Sequence, residues 1–263
     1  MSIHPTAIVH PGAQIGEEVE VGPYCIIQDN VVIGDGCRLE SHVVLKPYTI
    51  LGTGNRLYPG VVLGGEPQDK KWRGQPSKLI IGNDNVIREC ATIHRASLEG
   101  GATVVGDGNY FMAYSHVGHD ATVGHETMIA SYVGISGFSI VEDHVTFGGL
   151  VGVHQYVRVG KIAMVGGQSK IVQDVAPFMI ADGRATDIRG INTVGLERCG
   201  VSAASRRALK QAYVLLYRSD LGTTEALARI AQEVEMTPEV QYLVDFIKAM
   251  QTGRVGRQLD QRK

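Results

Sequence analysis

The densest chemistry in the chain is the run His116-Val117-Gly118-His119-Asp120. A histidine beside a carboxylate can be oriented by it and made a better proton acceptor. The pair therefore fits a general base, and it equally fits a solvated His and Asp at a turn. Five histidines, His116, His119, His125, His144 and His154, could also offer nitrogens to zinc. No HxxxH spacing or nearby cysteine completes a tight ligand set, so the expectation is no metal. A cysteine nucleophile would need a histidine in reach, which leaves only Cys90 and Cys199 as candidates. No GxxxxGK[ST] phosphate loop occurs.

The elements that hold these residues follow from an internal period. Stepping by six from Ile3 gives Val9, Ile15, Val21, Ile27, Ile33, Leu39, Leu45, Leu51, Leu57 and Leu63, and the register runs on to Ile171. Of 29 such positions 26 are apolar, where the overall hydrophobic content of 44% would supply about 13 by chance. A period of six is neither helical nor that of a simple strand. It fits a solenoid with short flat faces, three hexads per triangular coil. The position four after each aliphatic is small or β-branched (Ala7, Ala13, Val19, Cys25, Val31, Cys37, Val43) and is the second inward position. Cys25 and Cys37 are thus small core residues. Glycine often follows the aliphatic, as at Gly16, Gly22, Gly34 and Gly52, where positive φ at a corner is expected. Within this register Val117 points inward and His119 lies outside the coil.

The three breaks, Asp69, Gln75 and Glu99, mark loops at 64–80 and 94–104 that leave the coil and return in phase. Loops on a rigid scaffold are frequent places for function. The β-helix is expected over 1–190 and a small C-terminal α-helical domain over 191–263. Ser202, Thr223 and Thr237-Pro238 are expected to open three helices. Residues 254–263 are expected to be loosely held. Basic and acidic residues number 25 and 27, so no basic face argues for nucleic acid. No apolar stretch suits a membrane span and the start lacks signal-peptide character, which predicts a cytoplasmic protein.

Several segments resemble one family. They are His4-Pro5-Thr6-Ala7-Ile8-Val9, Gly65-Glu66-Pro67-Gln68-Asp69-Lys70-Lys71, Ile87-Arg88-Glu89, Thr92-Ile93-His94-Arg95, His116 to Asp120, Gly148-Gly149 to Val153-His154-Gln155, Val172 to Pro177, and Gly195-Leu196 with Arg198. In this order they are similar to the acyl-carrier-protein-dependent UDP-N-acetylglucosamine O-acyltransferases of lipid A synthesis. The resemblance implies a left-handed parallel β-helix, a homotrimer, and direct acyl transfer without a cofactor from a 3-hydroxyacyl carrier protein to the sugar 3-position. It implies His119 as general base, Asp120 as its partner and Gly137 as the backbone donor to the oxyanion. It further implies substrate contacts from Asp69, Lys71, His116, His154 and Gln155. Gly167 would limit acyl length, and Asn192 and Arg198 would lie on the nucleotide side. Arg73, Lys170, Arg206, Arg207 and Lys210 could receive the acidic carrier protein, or simply be solvated.

The chain departs from the family pattern at Phe138, where a histidine is usual, at Val194 for a glutamate and at Cys199 for an arginine. The stretch Ala130-Ser131-Tyr132-Val133 also lacks the family's usual pair of asparagines. These changes keep two other functions in play, a related acyltransferase for another nucleotide sugar, such as a 3-amino sugar, and a β-helix that binds without catalysis.

Overall fold

A computed structural model describes residues 1–184 and 186–261. Two-residue strands recur every six residues and stack into three parallel sheets. Sheet A runs from Ser2–Ile3 to the segment ending at Ile191, sheet B from Ile8–Val9 to Lys170–Ile171, and sheet C from Gln14–Ile15 to Arg158–Val159. Each strand pairs with the strand one coil away, for example Val21 with Leu39 and Val117 with Ile135. The aliphatic positions fill one continuous core, with Val117, Ile135 and Val165 fully buried. Cys25 and Cys37 are buried in it, as their place in the repeat requires.

The two interruptions return in phase because their lengths are multiples of six. An uninterrupted coil advances 18 residues, as from Val117 to Ile135. Across the first excursion Leu57 pairs with Ile87, an advance of 30, and across the second Ile87 pairs with Phe111, an advance of 24. A single residue more or less would turn aliphatic side chains to the outside.

The second inward position is not apolar throughout. Asn55, Asn85 and Asn109 occupy it and are essentially unexposed. They bond to one another along the axis. Asn85 Nδ2 donates to Asn55 Oδ1 at 2.9 Å, Asn109 Nδ2 donates to Asn85 Oδ1 at 3.0 Å, and Thr127 Oγ1 donates to Asn109 Oδ1 at 2.7 Å. Buried amides are tolerable only when satisfied, and this ladder satisfies them.

The glycines after the aliphatics do not have the positive φ expected of them. The left-handed positions fall two residues later, at Tyr24 (φ 59°), Asp120 (φ 59°) and Phe138 (φ 60°) among others. The reason for the glycines is contact between coils. A Cβ on Gly34 would lie 2.6 Å from the Gly52 carbonyl carbon, and one on Gly22 would lie 2.9 Å from the Glu40 carbonyl carbon.

After the last coil, Met179–Asp182 joins sheet A in parallel and Asp187–Ile191 pairs back on it antiparallel. Four helices follow: α1 (Thr193–Arg198), α2 (Ala203–Tyr217), α3 (Thr223–Glu233) and α4 (Pro238–Met250). Ser202 and Thr237 cap α2 and α4 with their hydroxyls. The cap of α3 is Gly222 rather than Thr223, which is already helical. α1 had no signal in the apolar spacing, since Leu196 is its single buried residue. Ile162, Phe178, Met179, Leu209, Ile230 and Leu243 share a second core that joins the helices to the end of the coil. No helix among the described residues is long and apolar enough to cross a membrane.

The chain end is not loose as far as it is described. Arg257 pairs with Asp260 at 2.7 Å and donates to the Val172 carbonyl, while the Gln258 amide donates to Asp174 Oδ2 at 2.7 Å. Polar anchoring of this kind leaves no periodic trace in a sequence. Arg262 and Lys263 lie outside the described residues.

Candidate active site

His119 sits two residues past Val117, at the turn that follows sheet B. The register places it outside the coil, yet the residue is only 5% exposed. Gly137 and Phe138 pack against the ring, and the second excursion holds the adjacent Asp120 through Ser97 and Leu98. His119 Nδ1 lies 2.7 Å from Asp120 Oδ2. The same Oδ2 accepts the Ser97 amide at 2.9 Å and the Ser97 hydroxyl at 2.6 Å, and Oδ1 accepts the Leu98 amide at 3.3 Å. The Asp120 amide in turn donates to Thr103 Oγ1 at 2.8 Å. Burial pushes the Asp120 carboxyl up, but the bonds from His119, Ser97 and Leu98 outweigh it and hold it below its ordinary value. A carboxylate on Nδ1 leaves Nε2 as the working nitrogen.

That nitrogen borders a cavity of about 140 Å³ lined by Gln68, His94, His116, His119, Gly137 and Gln155, with Gly118 and Ser136. Gly137 packs so closely that a Cβ there would lie 2.8 Å from His119 Nε2. The turn also departs from a bonding pattern seen elsewhere in the coil. At the turn after sheet C, amides in the equivalent position donate to the side chain one coil on: Glu17 to Asp35, Asn83 to Asp107, Asp107 to His125 and His125 to Asp143. Beside the cavity, among the described residues, the Gly137 N–H meets no such acceptor. It is an available donor close to the base.

Two more histidines face His119. His116 Nδ1 pairs with Thr92 Oγ1 at 2.8 Å, and His94 Nδ1 with the Glu66 carbonyl at 2.5 Å. Burial lowers both; for His116, with the help of His94 and His119, the value falls to about 4. Near neutral pH both are uncharged hydrogen-bonding groups. On the remaining side Phe138 meets the His119 ring edge-on at 5.3 Å and stacks on Tyr156 at 5.0 Å.

One chain thus brings together His119, Asp120, Gly137, His116 and Gln155. His154 is next to them, exposed, with Nδ1 3.0 Å from the Gln155 carbonyl. Of the first excursion, Gln68 reaches the cavity. Asp69 instead accepts the Lys71 amide at 2.9 Å, and the Lys71 side chain is exposed. Gly167 is at a different edge of the prism, in the turn after Met164–Val165 of sheet A, and is exposed. Asn192 is buried, capping α1 through the Gly195 amide and donating to the Ile162 carbonyl at 2.8 Å. Arg198 and Cys199 end α1, exposed, and Val194 is 58% exposed on the same helix. These last residues do not join the His119 cluster within one chain.

Sequence reasoning missed Ser97, Leu98, Gln68 and Ser136 as site residues. His94 had a readable signal, because the 24-residue advance puts it in register with Gly118 beside His119. Ser97 had none, since it belongs to the inserted residues that escape the repeat. Among the described residues no group of three or more His, Cys, Asp or Glu is arranged to hold a metal ion.

Comparison with known proteins agrees with this architecture. The family model described as UDP N-acetylglucosamine O-acyltransferase, domain 2, matches residues 174–255, and the bacterial transferase hexapeptide model matches 1–34, 12–47 and 102–137. The acyl-[acyl-carrier-protein]–UDP-N-acetylglucosamine O-acyltransferase of Anaeromyxobacter dehalogenans is 48% identical over 96% of this chain and 99% of its own length. The enzyme of that name from Paraburkholderia phymatum is 48% identical over 95% and 98%. The solved UDP-N-acetylglucosamine acyltransferase of Bacteroides fragilis superposes with a TM-score of 0.90 at 38% identity, covering 94% of this chain and 96% of that one. The Moraxella catarrhalis structure gives 0.88 at 40% identity, covering 93% and 96%. The coil is accordingly a left-handed parallel β-helix.

Proposed function

This chain belongs to the acyl-[acyl-carrier-protein]–UDP-N-acetylglucosamine O-acyltransferase family, and we propose how its own residues carry out that transfer. The enzyme moves an acyl group from acyl carrier protein to UDP-N-acetylglucosamine, the first step of lipid A biosynthesis. One observation carries the assignment of roles: His119 holds Asp120 on Nδ1 and turns Nε2 toward the cavity, next to the unpaired Gly137 N–H.

His119 Nε2 takes the proton of the sugar 3-hydroxyl as its oxygen attacks the thioester carbonyl of a 3-hydroxyacyl group. Asp120 stabilises the resulting imidazolium. The carbonyl oxygen gains charge in the tetrahedral intermediate and is met by the Gly137 amide, a fixed donor typically worth about 3 kcal/mol. Collapse breaks the carbon–sulfur bond, and the imidazolium returns its proton to the carrier thiolate. No acyl-enzyme forms, in keeping with buried Cys25 and Cys37 and with Cys90 and Cys199 outside the cavity. Neutral His116, with Gln155, His154, Asp69 and Lys71, holds the substrates.

The separate place of Gly167, Asn192 and Arg198 supports a homotrimer, in which a neighbouring subunit brings the acyl-length and nucleotide contacts to the His119 turn. Basic Arg207 and Lys210 on α2 are exposed and available to an acidic carrier protein.

Purified protein supplied with a 3-hydroxyacyl carrier protein and UDP-N-acetylglucosamine should release carrier thiol and form the 3-acylated nucleotide sugar. Undiminished turnover by His119→Ala would remove the assigned base. Light scattering should give three times the 28.3 kDa chain mass; a monomer with full activity would end the trimeric reading.

A further inference from the structure

Asp120 does not reach His119 unaided. Three donors converge on its Oδ2: His119 Nδ1, the Ser97 amide and the Ser97 hydroxyl. We infer that Ser97 is a positioning residue of the acyl transfer, aiming the Asp120 carboxylate so that His119 presents Nε2 to the acceptor hydroxyl. The inference rests on His119 being the base.

The geometry singles out the side chain of Ser97 and not only its backbone. The residue is 4% exposed, and the 2.6 Å hydroxyl contact is the shorter of its two bonds to the carboxylate. An ionised acceptor makes such bonds strong and short. Without the hydroxyl, Oδ2 keeps one fixed amide and the mobile imidazole, and the carboxylate gains freedom to rotate away from Nδ1.

The excursion that carries Ser97 is itself braced. The Arg95 amide donates to the Gly65 carbonyl at 3.0 Å, the Gly100 amide to Pro76 at 2.8 Å and the Lys78 amide to Gly101 at 2.9 Å. The Ser77 hydroxyl donates to the Ala96 carbonyl. The first excursion thus supports the second, and the second supports the carboxylate. Ser97 gains its position from six inserted residues that the repeat has no use for.

The test compares Ser97→Ala and Ser97→Thr with the unmodified enzyme, in kcat, KM and the pH profile of kcat/KM. Other titratable groups facing His119 are Asp120, His94 and His116, and burial lowers both histidines. The acid limb of the profile then reports the group that accepts the proton in the transfer. Ser97→Ala should lower kcat roughly tenfold or more, the usual cost of one hydrogen bond to a charged group, with KM for the nucleotide sugar little changed. A carboxylate free to rotate away from Nδ1 stabilises the imidazolium less, so the acid limb should move to lower pH. Ser97→Thr keeps the hydroxyl and should restore both rate and profile. An Ala variant with unchanged kcat and profile overturns the inference. So does a rate loss with an unchanged profile that Thr leaves uncorrected, because that is packing alone. Activity surviving in His119→Ala would instead bring down the assignment of the base.

Discussion

The imidazole of His119 and the α-carbon of Gly137 are packed so tightly that a single added carbon would overlap the ring, 2.7 Å from Cε1 and 2.8 Å from Nε2. Glycine at 137 thus leaves room for the base, beside an amide with no partner among the described residues. Gly137→Ala should push the ring out of line and lower kcat by about a hundredfold, the scale of a small misplacement of a reacting group. Steady-state kinetics beside a thermal melt would check this. A normal kcat would show that the ring has another place to go.

Asp120→Asn keeps the size of the side chain and removes the charge. It can also present an N–H to His119 and so favour the wrong tautomer. We expect kcat to fall by about a thousandfold or more, with substrate binding largely kept, as in other His–carboxylate pairs. Binding of UDP-N-acetylglucosamine by calorimetry alongside turnover would separate the two effects.

His116 gives a stability prediction with a definite sign. Its pKa drops on folding from 6.5 to about 4, chiefly through burial. Between those values the unfolded chain binds the proton more readily. The stability that neutral His116 contributes is therefore full above pH 6.5 and drains away as the pH falls toward 4. His116→Asn should lose less thermal stability between pH 7 and pH 4.5 than the unmodified protein. Equal losses would mean that His116 is not the group titrating.

Asn85 stands at the centre of the buried amide ladder, bonded to Asn55 on one side and Asn109 on the other. Asn85→Ala strips the Asn109 amide of its acceptor and leaves a gap in the core. A loss of about 2–4 kcal/mol is expected, seen as a lower denaturation midpoint. Activity measured well below that midpoint should persist, since the ladder does not line the cavity.

The repeat itself was legible because its physical cause is local. Each aliphatic from Ile3 to Ile171 must point into a narrow prism, so composition at one position in six reports the fold directly. The breaks at Asp69 and Glu99 were legible for the same reason, and so was their return in phase. The corner glycines were seen but misread, because their small size answers to the next coil, 18 residues away, and not to their own dihedral angles. The Asn55–Asn85–Asn109 ladder was hidden, as polar residues at an inward position look like exceptions until their bonds are known.

The His119–Asp120 pair was visible as adjacent residues, and its resemblance to a known family supplied roles for it. Its environment was not visible. The register put His119 outside the coil; only the folded chain shows Gly137 and Phe138 packed on its ring, and only the folded loop shows that Ser97 and Leu98 hold Asp120. Sequence alone determined the scaffold, because inward packing repeats every six residues. Tertiary structure decided the site, because its donors come from inserted loops whose contacts obey no period.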